Sequence, residues 1–214
     1  MKILELFAGT RSIGKAFEEK GHEVFSIEWD KTHDNIDWYT DIGNIKASEI
    51  IEKFGVPDVI WGSPDCTTYS IAGISHHRTK EYSGNLRPYS DYGIQCDLIN
   101  KNMLKLIKDL NPKYFFIENP RGGMRKMDFM QEFDRHTVTY CQYGDNRMKP
   151  TDIWTNHPNP NFKPMCKNGM PCHVSAPRGS KTGTQGLKKV DRSIIPKGLC
   201  EHIVEICEKG EYNG

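Results

Sequence analysis

Short apolar runs alternate with amphipathic stretches along most of this chain, and the alternation predicts strands interleaved with helices. Residues 2–7 (KILELF), 22–29 (HEVFSIEW), 57–62 (PDVIWG) and 113–119 (KYFFIEN) read as strands, the last almost wholly apolar, as a strand covered on both faces should be. Between them SIGKAFEEKG, closing at Gly21, and ASEIIEKF read as helices. So does the stretch from Asp91 to Leu110, in which Ile94, Leu98, Met103, Ile107 and Leu110 fall near one face. This order predicts an α/β fold with a doubly wound, mostly parallel sheet. VTYCQYG and TDIWTN are candidates for two further strands. The rhythm then dissolves: six prolines fall between Pro150 and Pro177 with no clear period, until Leu199, Ile203 and Ile206 predict a closing helix after Pro196. Residues 1–154 and 194–214 are therefore expected to form the main domain, with 155–193 a small irregular insertion.

At 214 residues the chain can bury one full core, so a single active site is expected. Seven cysteines, an odd number at irregular spacings, do not make a secreted disulfide framework, and no apolar span approaches the roughly 20 residues that cross a bilayer. MKILELF leads straight into a strand without signal-peptide architecture, which predicts a reducing, cytoplasmic setting and no membrane association; a monomer is the expected state. The net charge of +1 predicts no polyanion partner by itself, but it is spread unevenly. From Arg147 to Arg192 nine Lys or Arg face two acids, Asp152 and Asp191, which leaves that segment at +7 and the remainder near −6. A local basic surface suits a phosphate backbone, although a solvated lysine-rich loop has the same composition.

LFAGTRSIG follows the first strand and opens the first helix, so Gly9 can turn the backbone sharply and Gly14 can permit close approach. The full GxGxxG spacing is absent, which disfavours a dinucleotide. Glu28, Trp29 and Asp30 end the second strand, placing an acid where ribose hydroxyls are commonly held and an aromatic face where an adenine can lie. Asp41 can reach an adenine amino group from the next loop. An adenosine-bearing cofactor is the reading that joins these residues; taken singly, each is also an ordinary turn glycine, strand-end acid or core tryptophan.

The segment GSPDCTTYS, residues 62–70, puts Cys66 in a tight turn directly after an apolar strand. A thiol displayed there is placed for covalent chemistry, whereas most unpaired cysteines are small buried hydrophobes. Glu118 falls at the end of another predicted parallel strand, and ligands of open α/β sheets bind at such ends. The sulfur can then add to an electron-poor carbon while the acid neutralises charge developing elsewhere on the ring. Asn119 can brace the turn, and Arg147 can bind a carbonyl oxygen.

In chain order these segments resemble the motifs of the DNA cytosine-5 methyltransferases over nearly the whole chain, in a compact form of the kind expected of a virus or mobile element. FAGTRSIG resembles the first cofactor motif, IEWD the ribose and adenine motif, and TDI the acidic motif that follows. GSPDCTTYS resembles the nucleophile motif, IENP the motif carrying the catalytic acid, YGDNRMK a shortened arginine motif, and SIIPKGLCEHI the closing segment. The resemblance implies a Rossmann-like methyltransferase fold and S-adenosylmethionine held by Phe7, Ala8, Gly9, Thr10, Ser12, Ile13, Gly14, Glu28, Trp29, Asp41, Ile42, Ser63 and Pro64. It implies that Cys66 attacks carbon 6 of a cytosine flipped out of double-stranded DNA, with Glu118 assisting at ring nitrogen 3. Asn119 would support the turn and Arg147 would contact the base oxygen, with Lys149 as its neighbour in the motif.

Three positions depart from the family pattern. Asp65 stands where a proline usually precedes the nucleophile, and a carboxylate there disfavours a thiolate unless it is paired or turned away. Pro120 replaces the usual valine after Glu-Asn, and the arginine motif has lost residues between Tyr143 and Arg147. The loop from Thr67 to Ser90, with Ser70, His76 and Arg78, resembles the family's catalytic loop and predicts DNA contacts. Lys149, Arg178 and Lys181 are expected to contact DNA as well. Residues 155–192 occupy the place of a target-recognition region, and their shortness predicts a short or relaxed target sequence. Within them Cys166, Cys172 and His173, with His157 upstream, offer ligands for a structural zinc ion, although the spacing matches no recognised finger. RNA as acceptor, a modified methyl donor, and an inactivated DNA-binding form of the fold remain open alternatives at this level.

Overall fold

The computed structural model describes residues 1–82, 84–175 and 187–209. The first half alternates β1 (Lys2–Leu6), α1 (Ser12–Glu18), β2 (Glu23–Glu28), β3 (Trp38–Tyr39), α2 (Ala47–Lys53) and β4 (Val59–Gly62). A small hairpin, β5 (Arg78–Lys80) and β6 (Leu86–Pro88), precedes α3 (Asp91–Leu110) and β7 (Tyr114–Pro120). The second half contains β8 (Arg135–Thr139), β9 (Pro150–Thr155), the short α4 (Lys189–Ser193) and α5 (Lys197–Lys209). Seven strands form one sheet in the order β3-β2-β1-β4-β7-β9-β8, parallel from β3 to β7 and antiparallel at the β9 and β8 edge. The α/β doubly wound, mostly parallel sheet is thus the observed fold. Among the described residues no helix is long and apolar enough to cross a membrane.

Alternate side chains of each strand enter two cores. Leu4, Leu6, Ile60, Ile117 and Trp154 pack toward α2 and α3, whereas Ile3, Trp61, Phe116 and Ile153 pack toward α1 and α5. Each fully buried Leu, Ile or Phe contributes about 1.5–3 kcal/mol relative to exposure, which explains why these strands lack the polar face of an edge sheet. From β1 the chain winds outward through β2 and β3, then returns to β4 on the other side of β1. The strand order therefore reverses between β1 and β4, and a crevice opens at their carboxyl ends.

Three local expectations need correction. The run VTYCQYG is not a strand throughout: β8 ends at Thr139, and Tyr140–Tyr143 form a 3-10 turn. The turn closes because the Tyr140 amide donates to Met148 O and the Asp145 amide returns to Tyr140 O, at 2.9 and 3.2 Å. In α3, Ile94 and Leu98 are exposed; the buried stripe is Cys96, Asp97, Asn100, Met103, Leu106, Ile107 and Leu110. Two polar residues in that stripe displaced the apolar register that the sequence suggested.

The reason is a buried polar network that also corrects Arg78, expected on the surface as a phosphate contact. Arg78 is buried and forms a bidentate pair with Asp97, its Nη2 2.6 Å from Oδ1 and its Nη1 3.1 Å from Oδ2. Its Nε donates to Thr68 O at 2.9 Å, and the guanidinium lies 4.0 Å from the Tyr69 ring centroid. Tyr69 donates to Asp97 at 2.6 Å and accepts from Asn100 at 2.8 Å. The network fastens the segment after Cys66 to α3. Removing one member leaves an unpaired buried charge, so we expect Arg78→Ala to lower unfolding free energy in urea by about 3–5 kcal/mol. Unchanged stability with weakened DNA binding would return Arg78 to the surface role.

Candidate active site

The crevice at the sheet's switch point is built from two turns. After β1 the chain passes through positive φ at Phe7 (56°), Gly9 (49°) and Arg11 (54°), then enters α1. Ala8 is buried and its amide donates to Ile27 O at 3.1 Å; Thr10 and Ser12 hydroxyls lie 2.8 Å apart. Ile13 and Gly14 are buried inside α1, and a Cβ on Gly14 would meet the Glu5 carboxylate at 2.4 Å, so a larger residue there requires the buried Glu5 side chain to move. Glu5 itself is a buried acid that the sequence reading passed over; burial pushes its carboxyl up to about 7.

Glu28 ends β2 with its carboxylate facing this turn. Its Oε2 accepts from the Gly9 amide at 3.0 Å, and its Oε1 accepts from the amides of Trp29 and Asp30 at 2.9 and 3.0 Å. One carboxylate thereby locks the glycine turn to the end of β2. Trp29 beyond it is 68% exposed, so it is not a core residue. It shares a cleft of about 240 Å³ with Phe7, Asp41, Ile42, Asp65 and Tyr92. Asp41 is anchored by the Gly43 amide at 2.8 Å, while Ile42 is buried.

The second turn follows β4. β4 pairs in parallel with β7, with Gly62 opposite Ile117, so Ser63 to Cys66 emerge beside Glu118 and Asn119. Asn119 is buried and its Nδ2 donates to Pro64 O at 2.9 Å; its Oδ1 is buried without a partner among the described residues. Ser63 accepts from Trp61 Nε1 at 2.7 Å. Cys66 is half-buried, and Glu118 is buried with its Oε1 accepting from Tyr140 OH at 2.9 Å. Tyr140 is a further site residue that the sequence reading did not single out, because a tyrosine in an apolar run carries no sign of its hydroxyl's partner.

Charges around the sulfur oppose its ionisation. Burial first, then Asp65, then Glu118 push the Cys66 thiol from an ordinary 9.0 up to about 11, while Lys149 pulls it down. Asp65 is paired, but by neutral donors: the Thr67 amide at 2.5 Å and Tyr92 OH at 3.0 Å. Its charge therefore still reaches the thiol. Lys149 is the cation here; burial depresses its ammonium, and Glu118 and Cys66 are the groups that most favour its charge. Its backbone is held at φ 27°, its Nζ lies 4.4 Å from the Tyr140 ring centroid, and it donates to Arg192 O at 2.9 Å.

The geometry does not favour Arg147 for the base oxygen. Its guanidinium is committed to Asp145, Nε at 2.9 Å and Nη2 at 2.5 Å, and Nη1 points to Asp191 O at 3.4 Å. The lost residues between Tyr143 and Arg147 leave Asp145 beside the arginine, and a two-residue separation favours their pairing. Of the residues expected to touch DNA, Thr67 and His76 are exposed and Ser70 is half-buried, accepting from the Gly73 amide at 3.2 Å. Arg178 and Lys181 lie outside the described residues.

If Asp65 opposes the thiolate as this arrangement requires, Asp65→Asn should increase the alkylation rate of Cys66 at neutral pH roughly three- to tenfold. In the native sequence the rate should keep climbing above pH 9.0, toward about 11. Iodoacetamide labelling resolved at Cys66 by mass spectrometry measures both; identical pH profiles for the two proteins would remove Asp65 from the account.

Residues 1–140 match the family described as C-5 cytosine-specific DNA methylase. The chain is 25% identical over 239 positions to a probable DNA (cytosine-5)-methyltransferase of Frog virus 3 (isolate Goorha), covering 97% of this chain and 100% of that protein. It is 31% identical over 149 residues to the type II methyltransferase M.FnuDI of Fusobacterium nucleatum, covering 63% of this chain and 38% of that protein. The S. pombe Dnmt2 methyltransferase superposes with a TM-score of 0.48 at 14% identity, over 72% of this chain and 48% of that one. A Spodoptera frugiperda DNMT2 mutant gives 0.48 at 17% identity, over 72% and 49%. The chain thus spans the whole viral relative but about half or less of the others. The family match takes in the Gly9 turn, the Cys66 turn and Glu118, and ends at Tyr140; the chain belongs to the C-5 cytosine-specific DNA methylase family.

Proposed function

We propose that this protein methylates carbon 5 of cytosine in double-stranded DNA, using S-adenosylmethionine, through a covalent bond between Cys66 and a base turned out of the duplex. The observation that carries this reading is the parallel pairing of β4 with β7, tied by Asn119 Nδ2 to Pro64 O at 2.9 Å, which sets the Cys66 turn beside Glu118, with Lys149 immediately before the β9 strand that pairs with β7. Residues 1–154 and 194–214 form the catalytic part in this reading, and 155–193 the target-recognition part.

The cofactor fits the cleft beside Cys66. Trp29 exposes a broad apolar face at its rim, Phe7 and Ile42 line it, and the acids Glu28 and Asp41 supply acceptors for hydroxyl and amino groups. These residues, with the Gly9 turn, would hold S-adenosylmethionine, which when bound supplies an electrophilic methyl group.

This chain's own residues act on the base, whose ring atoms are out of reach inside the stack. The Cys66 thiol is protonated at rest and passes its proton to the Glu118 carboxylate as the sulfur bonds to carbon 6. The carbon 5–carbon 6 double bond opens, and the proton taken up by Glu118 is delivered to ring nitrogen 3. Tyr140 fixes the orientation of Glu118. After carbon 5 is methylated it releases its proton to solvent, the ring double bond re-forms as the carbon–sulfur bond breaks, and the proton held at ring nitrogen 3 returns by way of Glu118 to the Cys66 sulfur. Lys149 is assigned to the base oxygen in place of Arg147, because its charge faces Cys66 and Glu118. Thr67, Ser70 and His76 would lie against the DNA, and the short recognition part would read a short or relaxed target.

DNA containing 5-fluorocytosine should trap a denaturation-resistant adduct in the presence of cofactor, with none in Cys66→Ser. Lys149→Met should slow methyl transfer roughly 100-fold. Arg147→Met should act chiefly through the stability of its pairing with Asp145. No adduct in the native protein, or methyl incorporation into RNA and not DNA, would overturn the reading. Base-resolved sequencing of the product tests the target, and methylation confined to one long, rare motif would refute a relaxed one.

A further inference from the structure

Four ligand atoms come together where the insertion meets the sheet, and only two of them are adjacent in sequence. Cys141, Cys166, Cys172 and His173 each present one donor, all within 4.8 Å of one another. His157 is not among them: its Nε2 lies 3.2 Å from Ile206 O and its ring packs on Tyr114. The fourth donor comes instead from Cys141, in the 3-10 turn after β8.

We propose that these four residues bind a structural zinc ion, Cys141, Cys166 and Cys172 through sulfur and His173 through Nδ1. Tetrahedral zinc with ordinary bond lengths places its sulfurs about 3.8 Å apart and sulfur and nitrogen about 3.6 Å apart. Cys172 and Cys141 sulfurs are 3.8 Å apart, and His173 Nδ1 lies 3.6 Å from both Cys166 and Cys172. Cys166 and Cys172 sulfurs, at 3.0 Å, need to open by less than 1 Å. The His173 Nε2 is buried without a hydrogen bond among the described residues, so the ring is oriented by what its Nδ1 faces. Three thiolates and an imidazole in a closed, four-coordinate arrangement select zinc over the harder divalent ions. A Cys166–Cys172 disulfide would leave Cys141 and His173 aimed at nothing.

The ion also answers a structural need. Residues 156–175 contain no helix or strand, and Met165, Met170 and Val174 are exposed, so this stretch has almost no core of its own. From Lys163 onward its backbone is tied to the fold by the Lys163 amide to Tyr143 OH at 2.9 Å, the Cys166 amide to Thr139 Oγ1 at 2.9 Å, and the Val174 amide to Asn146 O at 2.8 Å. These three end on the segment from Thr139 to Asn146, which also carries Tyr140, whereas the residues before Lys163 are held elsewhere, His157 Nε2 3.2 Å from Ile206 O and Pro160 O 2.7 Å from His202 Nε2. Zinc would therefore pin the insertion to the same turn that holds Glu118.

Elemental analysis of the full chain, purified reduced and equilibrated with zinc, should give one zinc per chain. Cys141→Ala should reduce it to background, whereas Cys207→Ala, outside the cluster, should keep it. Cobalt in place of zinc should give the visible and charge-transfer bands of tetrahedral thiolate ligation, weakened in Cys141→Ala. Native protein without stoichiometric zinc, full zinc content in Cys141→Ala, or a Cys166–Cys172 disulfide in protein purified under reducing conditions would each overturn the site. None of these readouts depends on methyl transfer.

Discussion

Parallel pairing of β4 with β7 is the constraint on which the site depends. It sets Gly62 opposite Ile117, so the turn that displays Cys66 and the strand end that carries Glu118 leave the sheet side by side. The Asn119 to Pro64 hydrogen bond then ties the two loops together. A one-residue slip would turn Trp61 and Phe116 from one core toward the other, because side chains alternate across a strand. Burial of the two large aromatics thus enforces the register that brings the sulfur and the carboxylate together.

The electrostatics of the site are less forgiving than its geometry. Burial, Asp65 and Glu118 all hold the sulfur in its protonated form, and a single ammonium, Lys149, opposes them. That cation is itself held by a strained backbone and a buried ring. The family resemblance pointed first to Arg147, but an arginine paired with Asp145 has little of its fork left for a substrate.

Buried polar groups organise the rest. Arg78, Asp97, Tyr69 and Asn100 attach the segment after Cys66 to α3, and Glu28 attaches the glycine turn to β2. The four-ligand cluster at Cys141 has the same logic at the sheet's other edge, where an insertion too small to fold around its own apolar side chains meets the turn that carries Tyr140.

The sequence by itself determined the order of the long strands and helices, the limits of α3 and the doubly wound sheet, because period and turn chemistry are local properties; the short β3, the β5–β6 hairpin and α4 left no such period. Tertiary structure alone decided which polar side chains turn inward. Ile94 and Leu98 looked like core and face solvent, while Asp97 and Asn100 are buried because Tyr69 and Arg78, far away in the chain, supply their partners. Cys141 likewise carried no metal-ligand spacing relative to Cys166, since the approach of the insertion to the end of β8 is what makes them neighbours. A hydrogen bond or ligand set between distant segments leaves no period in the chain, and so it becomes legible only once the chain is folded.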